Sequence, residues 1–416
     1  MRFVLLVLTA AIWLCSGLVF AQDSLAALTT RAKNMKIDDI EPLERRAESG
    51  DPGAQTMLAL AYHYGTLLEQ DSVEAVNWFR KAADQGFVPA EEALGMSYQM
   101  GDGVPKDGAE AVKWYTKAAE QKSNLAQSNL GQIYLSGDGV EQNFGMALKW
   151  FRAAAEANEA TAQYNLGLMY LRGHGVVADP SVGAEWLRKA ADQNFAPALF
   201  RLAIMLQEGA GMAPDPKQAA GLLMKAADQG HAQAQTQMGY IYLKGIGVPV
   251  DNAQSLMWYR KAADQGEPVA AYALGVHYIK GDADVTKDPV EARKWFTVAA
   301  EQGHADSQYN LGVMCESGYG GEVDFGAAAK WYRAAAEQGV ASAQFRLGLL
   351  YVEGKGVEKD VVSAYQWLFL ANQDGKEPKA GRTLEKLASQ LKPDEIAAAQ
   401  QRVDAWRIAH QAAGSR

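Results

Sequence analysis

Apolar and small residues return every three to four positions along most of the chain, in two alternating stripes. One stripe runs Ala54, Leu58, Tyr62 and reappears as Ala126, Leu130, Tyr134; the other runs Ala75, Trp78, Phe79, Ala82, Ala83. Both have the period of a helix with one buried face. The alternation has a fixed stride. Trp stands at 78, 114, 150 and 186, gives way to Leu222, and resumes at 258, 295, 331 and 367, always 36 residues on except for one step of 37, where "GDADV" carries an extra residue. Nine copies therefore run from about Asp51 to Gly375, each predicting two helices. A period in this range with two helical patterns per copy predicts an all-α helical solenoid.

The punctuation fits the same reading. Asp71, Asp107, Asn143, Asp179, Asp215, Asp251, Asp288, Asp324 and Asp360 each stand four residues before the first Ala of the second stripe, where an N-cap belongs. Gly95, Gly131, Gly167, Gly239, Gly275, Gly312 and Gly348 sit inside the first stripe, next to its Leu or Met. A helical Gly costs about 1 kcal/mol relative to Ala, so another element must approach the backbone there, and the second helix of the same copy is the expected one. The large Trp ring is expected to fill the space between the helices. Gly-x-Gly turns such as "GDGV" at Gly101 and Gly137 join the two helices. None follows a strand or extends to GxGxxG, which argues against a nucleotide site.

The stretch "AQYNLGLMYLRGHGV…W…KAADQ" at residues 162–193 resembles the Sel1-like repeat (SLR) family, relatives of the tetratricopeptide repeats, and the resemblance extends over residues 51–375. It implies a right-handed superhelix of antiparallel helix pairs, about nine repeats of 36 residues, with the first helix of each pair lining the concave face. The fifth copy, with Leu222 for Trp and "GAGMAPDP" in its turn, and the eighth depart furthest. Residues 22–50 are expected to form an N-terminal cap, in which "PLERRAESG" at 42–50 aligns with a second helix lacking its Trp. Residues 376–416 are expected to form a two-helix C-terminal cap, with Trp406 packing back onto the ninth copy.

Composition narrows the functional classes. Forty Lys and Arg stand against 49 Asp and Glu, an acidic balance that argues against a nucleic-acid binder. Arg2 precedes "FVLLVLTAAIWLCSGLVFA", with Val19 and Ala21 placed for signal-peptide cleavage after Ala21. Residues 1–21 are thus an expected signal peptide, and the protein is expected to be periplasmic or secreted. The alternative is an uncleaved N-terminal anchor, the one route by which a membrane would enter. Cleavage removes Cys15 and leaves Cys315 alone, in a slot filled elsewhere by Tyr, as a core thiol.

A search for chemistry finds no HExxH, GxSxG or GxxxxGK[ST] and no Cys/His cluster. No catalytic residue, cofactor or metal ligand is expected; Asp282 and Asp284, a paired carboxylate in the inserted loop, read as solvated, as do His231 and His304. Paired cysteines per copy, which accompany penicillin binding or hydrolysis in some SLR proteins, are missing, so a cell-wall enzyme is the weakest reading. What remains is the first-helix face. Tyr164, Phe200, Tyr240, Tyr272, Tyr309 and Phe345 are the candidate partner-binding groove there, unless these rings serve instead to pack one repeat on the next. The expected function is a scaffold or adaptor of the bacterial cell envelope that binds proteins, in an envelope complex or as a regulator on the ectodomain of a membrane sensor kinase.

Overall fold

The computed structural model describes residues 24–281, 285–373 and 377–414. The expected signal peptide and the Asp282/Asp284 pair lie outside the described residues, all but Gln22 and Asp23 of the N-terminal cap within them. Among these, 22 helices and no strand are present. The helices pair off as the stripes predict, in a solenoid of helical repeats: Pro52–Tyr64 with Ser72–Ala83, Val88–Met100 with Gly108–Glu120, Asn124–Ser136 with Phe144–Glu156, and Ala160–Arg172 with Pro180–Asp192 form repeats 1–4. Repeats 6–9 pair Ala232–Lys244 with Asn252–Ala263, Pro268–Lys280 with Pro289–Glu301, Ala305–Ser317 with Phe325–Glu337, and Ala341–Glu353 with Val361–Ala371. The chain divides into two compact units after Pro214, inside repeat 5.

Every expected second-helix N-cap is one. Asp71 Oδ1 accepts from the amides of Val73 and Glu74, both at 2.9 Å, and the other eight caps repeat this bond to one or two amides. The helical glycines also do what their cost implied, but the ring above them is not the Trp. At Gly131 a Cβ would lie 2.6 Å from the Phe151 ring; Tyr115, Tyr259, Phe296 and Tyr332 stand likewise over Gly95, Gly239, Gly275 and Gly312, and Leu187 and Leu368 over Gly167 and Gly348. Each is the residue after the Trp slot. Adjacent helical positions point about 100° apart, so only one of the two can face its own first helix. The Trp packs at the joint with the preceding repeat: Trp150 against the cluster of Ala111 and Tyr115 of repeat 2 with Leu130 of its own, and Trp186 against that of Phe151 of repeat 3 with Leu166 of its own.

The rest of "WYRKAADQG" is absorbed in the same way. Lys261 Nζ lies 4.3 Å from the Trp258 ring centroid, and Lys81 and Lys189 cover Trp78 and Trp186 similarly. Arg260 donates to the Tyr278 hydroxyl of the next first helix, as Arg152 does to Tyr170 at 2.9 Å. Gln265 Nε2 donates to Gln235 Oε1 at 2.7 Å, while Gln235 Nε2 donates to the Ala227 carbonyl of the preceding second helix at 3.0 Å. The same two-step bridge joins Gln85, Gln55 and Ala47, and Gln338, Gln308 and Ala300. Gly266 closes the motif at φ +82°.

The Gly-x-Gly turn splits its labour. The first Gly ends the first helix in the left-handed region, as Gly101 does at φ +76°. The second lies on the start of the preceding repeat's second helix: a Cβ on Gly103 would fall 2.0 Å from the Ser72 carbonyl oxygen, and one on Gly356 2.1 Å from that of Phe325. Close backbone approach, not phosphate binding, explains the glycines.

At the N-terminus, Ile37–Glu48 takes the place of a second helix, its Ala47 carbonyl accepting from Gln55 at 3.0 Å. Before it comes a short helix, Leu25–Lys33, which the period does not foreshadow. At the other end Pro378–Ala388 and Pro393–Gly414 both pack on Val361–Ala371, and Trp406 reaches the cluster of Ala335, Ala336 and Trp367.

Candidate partner-binding face

On the first helices three slots per turn remain after the architecture is served: two before, two after and five after the Leu or Met. The slot two before is only half available. Its small members Thr56, Ser128 and Thr236 are buried, and so is Glu92; its aromatic members Tyr164, Phe200, Tyr272, Tyr309 and Phe345 are half-buried. Each ring leans on a neighbour. Tyr164 meets Phe195 edge-on at 5.7 Å; Tyr272 lies 4.7 Å from His304 and 5.9 Å from Phe296; Tyr309 lies 5.9 Å from Tyr332; Phe345 packs against the cluster of Ala364 and Leu368. Phe195 and His304 cap the next first helix, so these rings touch across a joint and keep an edge exposed. Tyr240 belongs to the slot two after, and it is 44% exposed.

That second slot lines an apolar hollow in each unit. In the second unit Val276 and Ile279 of repeat 7 and Val313 and Met314 of repeat 8 enclose about 370 Å³ above Phe296, with Lys280 at its rim. The side chains Val276, Ile279 and Val313 are half-buried and Lys280 is exposed. In the first unit the same slots of repeats 1 and 2, Leu60, His63 and Met96, enclose about 140 Å³ above Phe79. There the remaining space is taken by Leu25 and Thr29 of the N-terminal helix.

Two charged features escaped sequence reasoning. Glu91 and Glu92 are buried side by side in repeat 2, and desolvation raises both above the ordinary carboxyl value. They accept from Gln121 and Ser123 of the joint, so Glu91 stands in for the bridging Gln of other repeats. His231 and His304, expected in solvated loops, are half-buried N-caps: their Nδ1 atoms accept from the amides of Ala234 and Ser307, each at 3.2 Å. Burial lowers both below the usual His value of 6.5. The sequence signal was their place just after a helix-ending Gly, a cap slot that Asp or Ser usually fills. Cys315 is buried, accepts from Arg293 Nη2 at 3.1 Å, and is raised by burial.

Among the described residues no three His, Cys, Asp or Glu side chains gather as a metal site, and no helix is long and apolar enough to cross a membrane.

A stack of two-helix repeats whose recurring residues make the joints, and whose free slots line one helix face, defines a helical-repeat scaffold. The chain belongs to the Sel1 repeat family: nine successive Sel1 repeats cover residues 52–376. Among solved structures it is similar to a Sel1 repeat protein from Oxalobacter formigenes, at 34% identity over 79% of this chain and 94% of that one, with a TM-score of 0.62. It is also similar to a protective antigen displaying an SLR fold in uropathogenic Escherichia coli strains, at 32% identity over 90% of this chain and 94% of that one, with a TM-score of 0.52. No curated protein matches the sequence. Sel1 repeat proteins are scaffolds for protein–protein interaction.

Proposed function

We propose that this protein is a non-catalytic adaptor of the bacterial cell envelope that holds a protein partner on its first-helix face. The observation that carries the reading is the apolar hollow of repeats 7 and 8, whose Phe296 also meets the half-buried ring of Tyr272, with Tyr309 half-buried on the next first helix. Aromatic side chains bury large areas with few rotors to freeze, which is why they dominate interface hot spots. The envelope location rests on the apolar run and the small residues before Gln22, and a similar protein being a protective antigen accords with it. An ectodomain of a membrane sensor is the alternative partner, bound by the same face.

Replacing Tyr272 and Tyr309 together with Ala tests the reading. Partner capture from envelope extract is expected to fall more than about tenfold, equivalent to about 1.4 kcal/mol, with helix content nearly intact by circular dichroism. Binding that falls only in proportion to the folded fraction would assign the rings to the joints alone and end the groove reading.

A further inference from the structure

The hollows of repeats 1–2 and 7–8 are lined by the same positions of the repeat. Leu60, His63 and Tyr64 correspond to Val276, Ile279 and Lys280, and Phe79 and Met96 to Phe296 and Val313. One of the two is occupied by a helix of this chain. Leu25–Lys33 packs on the first helices of repeats 1 and 2, burying Leu25, Leu28 and Ala32, which lie at i, i+3 and i+7 on one face. Its last residue, at i+8, places Lys33 Nζ 4.1 Å from the centre of the Tyr64 ring. The protein thus carries its own example of what this face accepts.

Resting on the adaptor reading, we propose that the hollow of repeats 7 and 8 docks one short amphipathic helix of a partner protein, with apolar residues at i, i+3 and i+7 and an Asp or Glu at i+8. The apolar part follows from the matching slots, which in repeats 7 and 8 are aliphatic and line an open hollow of about 370 Å³, against the 140 Å³ left beside Leu25 and Thr29 in repeats 1 and 2. The acid follows from the one slot whose chemistry changes sign. The aromatic face that receives Lys33 is replaced by Lys280, so a basic residue at i+8 would meet like charge and an acid would meet its counterion. The same argument disfavours the chain's own helix, and hence a second copy's, as occupant relative to a partner helix with an acid at i+8. A free partner helix pays the ordering entropy that Leu25–Lys33 avoids by its tether to Ile37–Glu48.

Two fluorescent, helix-stabilised peptides of residues 24–35 test this on the full mature protein, one unaltered and one with Lys33→Glu. At low ionic strength, where exposed pairs are least screened, the Lys33→Glu peptide is expected to bind about three- to tenfold more tightly. Lys280→Glu, at an exposed position that leaves the fold untouched, is expected to invert the preference, and Val313→Arg to abolish binding of the Lys33→Glu peptide with the circular-dichroism melt retained. Equal binding of both peptides, a preference that Lys280→Glu does not move, or no binding of either overturns the proposal. The adaptor reading fails separately: partner capture that still depends on Tyr272 and Tyr309, without peptide binding at Lys280, would leave it standing and remove only the helix.

Discussion

At the scale of single residues, the recurring positions are structural and each has a measurable job. Gly131→Ala drives a methyl into the Phe151 ring 2.6 Å away. Overpacking of this kind costs about 1–3 kcal/mol, partly offset by about 1 kcal/mol of better helix propensity, so a net loss of about 1 kcal/mol is expected in urea melts. The histidine caps give the protein a pH signature. His231 and His304 bind protons less readily folded than unfolded, because burial of the half-exposed rings disfavours the charged form. Their stabilisation is therefore complete above the unfolded value of about 6.5 and is lost as the pH falls from there through the lower folded values. Melts of wild type and of the double variant His231→Asn, His304→Asn between pH 7.5 and 5.5 should diverge, wild type losing more; parallel curves would show that the caps do not titrate. These two roles were half legible: the glycines announced a close approach, whereas a His after Gly looks like any loop residue until its ring is seen turned back on the amides.

At the scale of the helix pair, the two glycines of each turn should respond differently. Gly101→Ala meets only the strain of a left-handed cap, about 1–2 kcal/mol, since its nearest neighbour to a Cβ is 3.2 Å away. Gly103→Ala meets the same strain and the Ser72 carbonyl oxygen at 2.0 Å, so it should lower the melting temperature clearly further and loosen repeat 2 from repeat 1. Trp150→Ala should cost about 3–5 kcal/mol, and hydrogen exchange should show the loss concentrated at the joint of repeats 2 and 3, where its ring packs; uniform or absent change would contradict that placement. The caps and both stripes were readable because each depends on residues within one turn of helix. The glutamine bridge was not. Gln85 and Gln55 are 30 residues apart on different stripes, and a Gln at a helix end reads as solvent-facing until the partner carbonyl is known. Which aromatic faces which helix was equally hidden, because Trp and its neighbour alternate between two surfaces with equal apolar character.

At the scale of the whole molecule, the joints outnumber the free slots, and this is why the fold was plain in the sequence and the site was not. Residues that recur nine times declare themselves; residues that recognise a partner differ from copy to copy and have no pattern to betray them. Leu25–Lys33 is the extreme case, nine residues outside the period with a sparse apolar face, whose docking place could be known only from the structure. If the leader is cut after Ala21, N-terminal sequencing should read from Gln22, three residues before that helix begins; recovery of Met1 on membrane-bound material would replace a free leader helix by a tethered one. The joints carry one more implication. The Gln-to-carbonyl step of each bridge links a residue to the same place in the copy before it, so what it recognises is a register, not an individual neighbour. Excising residues 124–159 would bring Gln163 to the Ala119 carbonyl now held by Gln127, and the same bond would form. The number of copies can thereby change without disturbing the joints that remain: whole units can be gained or lost by recombination between copies, while a fragment that splits a helix pair would leave the seam without its bonding partner. Docking hollows can in this way be multiplied first and diversified afterwards, each in a copy that its neighbours do not need to change to accommodate.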